Sequence, residues 1–344
     1  MKLIKTVDAA GTVLCHDITQ IIPGVKKGPV FRKGHIIREE DIPVLLSCGK
    51  ENLYVWEKRE GILHEDEAAG ILKDICIGES DSFTYSAPSE GKIEIRAAER
   101  GLLKIRRDAL NRVNSVGEMM IASIHGDFPV NKGDKIAATR IIPLVIEQEK
   151  MDKAVRCAGD EPVFSLLPMP HRNIGIVTTG SEVCKGLIKD AFGPVLREKL
   201  SEYDTSVTGQ IFTGDDVDAI VSAIEEHIGN GSDIVIVSGG MSVDPDDRTP
   251  GAIKAAGADI VTYGAPILPG AMFLLAYLER DGRMIPVMGL PGCVMYARRT
   301  VFDLILPRVL AGERLTAEDI YTYGEGGLCL SCEECTFPHC GFGR

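Results

Sequence analysis

Three short runs of apolar, mostly β-branched residues set the tightest limits on what this chain can fold into. Ile174-Gly175-Ile176-Val177, Asp233-Ile234-Val235-Ile236-Val237 and Ile285-Pro286-Val287-Met288 each read as a strand buried on both faces. Between the first two, Val217, Ile220, Val221, Ile224 and Ile228 fall on one face of a helix over 216–228, ended by Asn230-Gly231. Strands alternating with helices require right-handed crossovers. The expected fold is therefore α/β, a doubly wound and mostly parallel sheet. Ligands of such sheets lie outside the carboxyl ends of the strands, and the glycine-rich segments of this half fall at those ends.

The remainder reads as β-rich. Residues 1–56 form a small domain with strand-prone runs at 11–14 and 52–55, turn material over 24–29 and a short helix over 39–46. Residues 57–151 form a middle domain. It has a helix over 65–77, a hairpin of 92–98 with 101–105, and a strand over 135–142 after the Lys132-Gly133-Asp134 turn. Residues 152–172, with three prolines and no period, are expected to be a linker. The α/β domain then covers 173–312 and a Cys-rich tail covers 313–344, with a flexible joint at Gly324-Glu325-Gly326-Gly327. After Gly289-Leu290-Pro291-Gly292 a long helix is expected to run to about Leu310.

The net charge of −12 argues against nucleic acid or acidic lipid as a partner. No run reaches the ~18 apolar residues of a membrane span, and no apolar stretch follows the basic N-terminus as in a signal peptide. Four of the ten cysteines crowd into the last sixteen residues, a pattern that fits a reducing cytoplasm better than a disulfide framework.

Four segments carry the chemistry. Thr179, Gly180, Ser181 and Glu182 follow the first strand; Ser238, Gly239, Gly240 and Ser242 follow the second, with Asp246, Asp247 and Thr249 just beyond. Pro269 and Gly270 lie in a proline-fixed loop, and Pro291 and Gly292 end the third strand. Glycines let backbone amides approach a ligand, and successive N–H groups at a turn hold phosphate. Glu182, Asp190 and Asp247 offer hard oxygen ligands suited to Mg²⁺ beside a substrate phosphate.

The order and spacing of these segments resemble the molybdopterin-binding domain of gephyrin-type and bacterial molybdenum cofactor biosynthesis proteins. That family's Ser-Gly-Gly-x-Ser-x-Gly-x-x-Asp-x-Thr is met by Ser238, Gly239, Gly240, Ser242, Asp247 and Thr249. Its Thr-Gly-x-Glu is met by Thr179, Gly180 and Glu182, and its Gly-Leu-Pro-Gly by residues 289–292. An acidic residue after the first loop is matched by Asp190, and the aspartate opening the next helix by Asp215 or Asp216. The resemblance implies molybdopterin phosphate near 238–242 and 289–292. It also implies a Mg²⁺-assisted centre at Glu182, Asp190 and Asp247 that inserts molybdate into adenylylated molybdopterin.

Departures from the family pattern weaken anion binding. Asp244 replaces a glycine, Leu268, Ala271 and Met272 stand in place of two lysines and a proline, and Cys293-Val294 replaces Asn-Pro. The N-terminal half lacks the family's Ser-Ala-Met-Asp-Gly-Tyr segment. Two alternatives stay open: a non-catalytic carrier of pterin or finished cofactor for a client molybdoenzyme, and a pyrophosphatase of the ADP-ribose type. Homo-oligomers occur among relatives of this domain.

Cys329, Cys332, Cys335 and Cys340 have the spacing C-x₂-C-x₂-C-x₄-C. It suits an iron–sulfur cluster, with zinc as the rival and His339 as a substitute ligand. His16, His64, His125 and His227 stand singly and read as structural. Cys184 and Cys293 read as small buried hydrophobes. Arg96, Arg100, Lys104, Arg106, Arg107 and Arg112 read as a solvated hairpin face.

Overall fold

The computed structural model describes residues 2–22, 26–55, 60–242, 244 and 247–344. The chain divides into two compact units. One comprises Met1–Glu99, Lys104–Ile124 and Asn131–Ser165; the other comprises Arg100–Leu103, His125–Val130 and Leu166–Arg344. Among the described residues no helix is long and apolar enough to cross a membrane.

In the first unit, Lys2–Lys5 pairs antiparallel with Asn52–Val55, and Ile18–Ile22 pairs with Lys26–Phe31. Residues 26–29, expected as turn, are thus strand, while 24 and 25 lie outside the described residues. The run at 11–14 makes only isolated bridges, Val13 to Ile36 and Leu14 to Val55. Leu14, Ile18, Ile37, Leu45 and Leu53 close a small core. The helix expected at 39–46 is a 3-10 turn, Glu39–Asp41, running into Ile42–Ser47.

The helix Glu65–Ile77 forms as the apolar spacing predicts and opens on a capping box between His64 and Glu67. The hairpin expected of 92–98 with 101–105 does not form. Lys92–Ala97 pairs instead with Phe83–Tyr85 and Lys135–Ile141, and Gly101–Ile105 pairs with Pro129–Val130. Gly101 lies flush against Leu166 and the Leu167 carbonyl, where no side chain would fit. Residues 152–172 contain the end of the helix Gln148–Ala158 and the strand Phe164–Leu167. Their three prolines fall outside both elements, and the helix buries Met151, Ala154 and Ala158, a face too weakly apolar to stand out in sequence.

The second unit is built on one six-stranded sheet. Its strands are β1 (Arg172–Thr179), β2 (Thr205–Thr213), β3 (Ile234–Ser238), β4 (Asp259–Tyr263), β5 (Leu274–Arg280) and β6 (Arg283–Leu290), in the order β2-β1-β3-β6-β5-β4. The first four in that order are mutually parallel, and β5 runs against both β6 and β4. The sheet is mostly parallel, as the alternation predicts.

Helices cover both faces, and the strands sort their side chains accordingly. Ile174, Ile176, Ile234, Ile236 and Met288 pack with α2 (Phe192–Leu200) and α5 (Val301–Leu310). Val177, Val235, Val237, Ile285 and Val287 pack with α3 (Val217–Gly229) and α4 (Thr249–Ala255). Gly175 is required on the second face because the His227 ring lies where a Cβ would be. His227 Nε2 lies 2.9 Å from the Ile176 carbonyl, so this histidine is structural as expected.

The long helix expected after Gly292 is two pieces. Gly292–Met295 is a 3-10 turn, and α5 starts only at Val301. Thr300 is extended and forms a capping box with Asp303, which fixes the start of α5. Every residue of α5 is buried.

Candidate functional site at the strand ends

Strand register places the carboxyl ends of four parallel strands in a row. Thr179 lies opposite Thr213, Thr178 opposite Ser238, and Ser238 opposite Leu290. The loops that leave these ends carry most of the residues that sequence singled out.

After β1, the Gly180 N–H donates to the Thr213 carbonyl at 3.1 Å. Ser181 donates to Asp215 Oδ2 through its N–H (3.0 Å) and its hydroxyl (2.8 Å). Asp216, the next residue, is the N-cap of α3 and accepts from the Ala219 N–H. The two aspartates that sequence left undivided therefore do different things. Glu182 is exposed on the one-turn helix Ser181–Cys184, and Cys184, expected to be buried, is exposed there too.

After β3, Gly239 and Gly240 both take positive φ, 92° and 58°. A Cβ on Gly239 would lie 2.5 Å from the Thr179 carbonyl oxygen, and one on Gly240 would lie 2.7 Å from Thr249 Oγ1. Thr249, the first residue of α4, donates its hydroxyl to the Gly239 carbonyl (2.8 Å) and its N–H to the Gly240 carbonyl (3.1 Å). Its Oγ1 lies 3.4 Å from Thr179 Oγ1. The diglycine is thus clasped between β1 and α4 with room for backbone alone.

Ser238 is fully buried, and its hydroxyl turns to Thr178 Oγ1 (3.3 Å) and the Val177 carbonyl. Ser242 is exposed, Asp247 is half-buried, and Asp246 lies outside the described residues. The Tyr263 hydroxyl donates to the Met241 carbonyl at 3.0 Å. Burial, then the charge of Asp247, push the Tyr263 phenol above its usual pKa.

Asp190 does not face the loops with a vacant carboxylate. It accepts from the Phe192 and Gly193 N–H groups (2.9 and 3.1 Å) and from Gln210 Nε2 (2.8 Å). Gln210 Nε2 also donates to Thr178 Oγ1 at 2.9 Å. A polar chain therefore runs Asp190–Gln210–Thr178–Ser238 beneath the strand ends, joining β2, β1 and β3. Thr178 opens the first of the glycine-rich segments legible in sequence, whereas Gln210 is not legible there because β2 is too polar to announce itself as a strand. Nearby, the buried Thr213 hydroxyl has no partner among the described residues.

Pro269, Gly270 and Pro291 line a separate cleft of about 480 Å³ with Met272, Tyr296 and Cys329. Gly270 has φ 131°, and a side chain there would overlap Val301. Gly292, exposed, follows directly from Pro291. Cys293 is half-buried, and burial pushes its thiol up.

Among the described residues, one group of three His, Cys, Asp or Glu has ligand atoms within 4.8 Å of one another: His64, Glu65 and Asp66, in the first unit. Lys33 Nζ already lies 2.9 Å from His64 Nδ1 and 2.7 Å from Asp66 Oδ2. An ammonium thus occupies the place a metal would take. Glu182, Asp190 and Asp247 form no such group. Asp190 is already fully hydrogen-bonded, whereas Glu182 is exposed and Asp247 half-buried.

These features define a class: an α/β domain whose glycine-rich loops crown a mostly parallel sheet. Residues 175–311 match the family described as a probable molybdopterin binding domain. Residues 3–57 match a domain of unknown function. Among curated proteins, a molybdopterin molybdenumtransferase of Synechococcus elongatus is 25% identical over 142 residues, 39% of this chain and 34% of that protein. A CinA-like protein of Pseudothermotoga lettingae is 33% identical over 82 residues, 24% of this chain and 20% of that protein. The chain therefore spans about a third or less of these relatives. Among solved structures, the tungsten cofactor synthesizing protein MoaB from Pyrococcus furiosus is 20% identical with a TM-score of 0.34, covering 40% of this chain and 91% of that one.

Proposed function

We propose that the α/β domain binds molybdopterin in molybdenum cofactor biosynthesis, with the phosphate at the carboxyl ends of β1, β3 and β6. The clasped Gly239-Gly240 turn carries this reading. Its two glycines, both at positive φ, hold a tight turn at the strand end, and successive N–H groups of such a turn are suited to hold a phosphate. The buried, unpartnered Thr213 hydroxyl adds a donor at the same row of strand ends. The cleft at Pro269, Gly270 and Pro291 has the volume of a small-molecule site and walls suited to a flat pterin ring.

Binding is favoured over turnover because Asp190 is committed to holding α2 and Gln210 in place. In this reading the chain is a carrier that passes its pterin to a client molybdoenzyme. Insertion of molybdate into adenylylated molybdopterin is the second reading. It is favoured by relatives named molybdopterin molybdenumtransferase and by the exposed Glu182 next to Gly180. Incubating the pure chain with adenylylated molybdopterin, Mg²⁺ and molybdate separates the two. Retention of the pterin without AMP release is expected. AMP release that disappears in Asp247→Asn would put insertion in its place, and no retention of pterin would contradict both.

A further inference from the structure

The C-terminal tail is folded, and its fold gathers four thiols around one space. The expected flexible joint is a packed crossing: a Cβ on Gly326 would strike the Arg344 backbone, and the Gly343 N–H donates to the Gly326 carbonyl at 2.9 Å. Phe342 is buried in the same apolar core as Phe128 and Leu304. The loop so closed is held to the body by Arg298, which donates to the Glu333 carbonyl at 2.7 Å, and by Arg299, 5.0 Å from the Phe337 ring centre.

Within it, Cys329, Cys332, Cys335 and Cys340 all line a single cavity of about 690 Å³, and none is in a disulfide. Cys329 and Cys340 are half-buried against the core, whereas Cys332 and Cys335 are exposed at the rim. Arg298 and Arg299 line the same cavity. Soft thiolates around a closed space select zinc or iron–sulfur.

Spacing favours the second. Zinc–sulfur bonds of about 2.3 Å would draw four tetrahedral sulfurs to within roughly 4 Å of one another. The tail thiols form no group that tight. A polynuclear cluster holds its cysteines further apart and needs the larger cavity.

We propose that the tail binds an iron–sulfur cluster through Cys329, Cys332, Cys335 and Cys340, and that the cluster braces one wall of the proposed pterin cleft. The bracing follows from shared backbone. The Leu268 N–H donates to the Gly327 carbonyl and the Cys329 N–H to the Leu268 carbonyl, each at 2.8 Å. Cys329 thus lines both spaces and is tied to the loop that carries Pro269 and Gly270. This second half rests on the pterin reading, but the cluster itself does not.

The test is anaerobic reconstitution of the full chain with ferrous iron and sulfide, and separately with zinc. Iron and acid-labile sulfide retained in fixed ratio per chain, with visible charge-transfer absorption, are expected. Cys332→Ser/Cys335→Ser should lose both while keeping the metal-free chain's thermal midpoint, since both thiols are at the rim. Iron retained without labile sulfide, zinc retained where the iron-and-sulfide arm yields no cluster, or iron retained equally by the double variant, would overturn the cluster. Molybdopterin affinity is then compared between loaded and metal-free chains. Tighter binding by the loaded chain is expected, and equal affinity would overturn the bracing alone. A chain that loads iron but never binds pterin would refute the pterin reading and leave the cluster standing.

Discussion

A methyl group on Gly240 would meet the Thr249 hydroxyl on a backbone already at φ 58°. Gly240→Ala is therefore expected to cost about 1–3 kcal/mol and to weaken molybdopterin binding by roughly tenfold or more. Thermal unfolding and titration with molybdopterin read the two effects separately. In the other unit, Glu65 is a carboxyl whose ordinary pKa of 4.5 is pushed up to about 7 by burial and then by Asp66, against the pull of Lys33 and Arg140. The folded chain then holds this proton more tightly than the unfolded one. On its account stability falls as pH rises from about 4.5 to about 7, and is level outside that window. Urea unfolding at pH 5 and pH 8 should show wild type losing on the order of 2 kcal/mol relative to Glu65→Gln. Equal pH dependence in both would remove Glu65 from the account.

At the scale of elements, the start of α5 depends on a buried charge cluster. Asp303 is 4% exposed and takes Lys199 Nζ at 2.9 Å, Arg299 Nη1 at 2.9 Å and the Thr300 N–H at 2.8 Å. Asp303→Asn would leave the buried Lys199 ammonium without a carboxylate and Arg299 with Glu202 alone, and would weaken the capping box, at a cost of about 3–5 kcal/mol. Lys199→Met leaves Arg299 in place and should cost less, and chemical denaturation of both variants checks that order. The same elements show what sequence makes legible. β1, β3 and β6 were readable because both faces are buried, and the turns at their ends because glycine had to be there. β2 escaped notice because it is an edge strand, free to carry Thr205, Ser206, Thr208 and Gln210. The β5–β6 hairpin was missed although Asp281-Gly282, both at positive φ, is the residue pair such a turn requires. Gln210 and Arg298 acquire roles only through partners far along the chain, which spacing does not reveal.

At the scale of the whole molecule, the glycine-rich loops, the proline cleft and the thiol cavity all belong to the unit that carries the six-stranded sheet. The first unit supplies none of the residues argued here to touch the pterin. An excess of negative charge, −12 overall, makes backbone donors the more important for holding an anion. Amide hydrogen exchange of the full chain, with and without molybdopterin, tests the central claim directly because it reports where the ligand lies. Slowed exchange is predicted at 179–182, 238–242 and 270–272 and at Gly292, with 3–57 unchanged. Exchange unaltered at the strand ends, or slowed only in 3–57, would contradict the account.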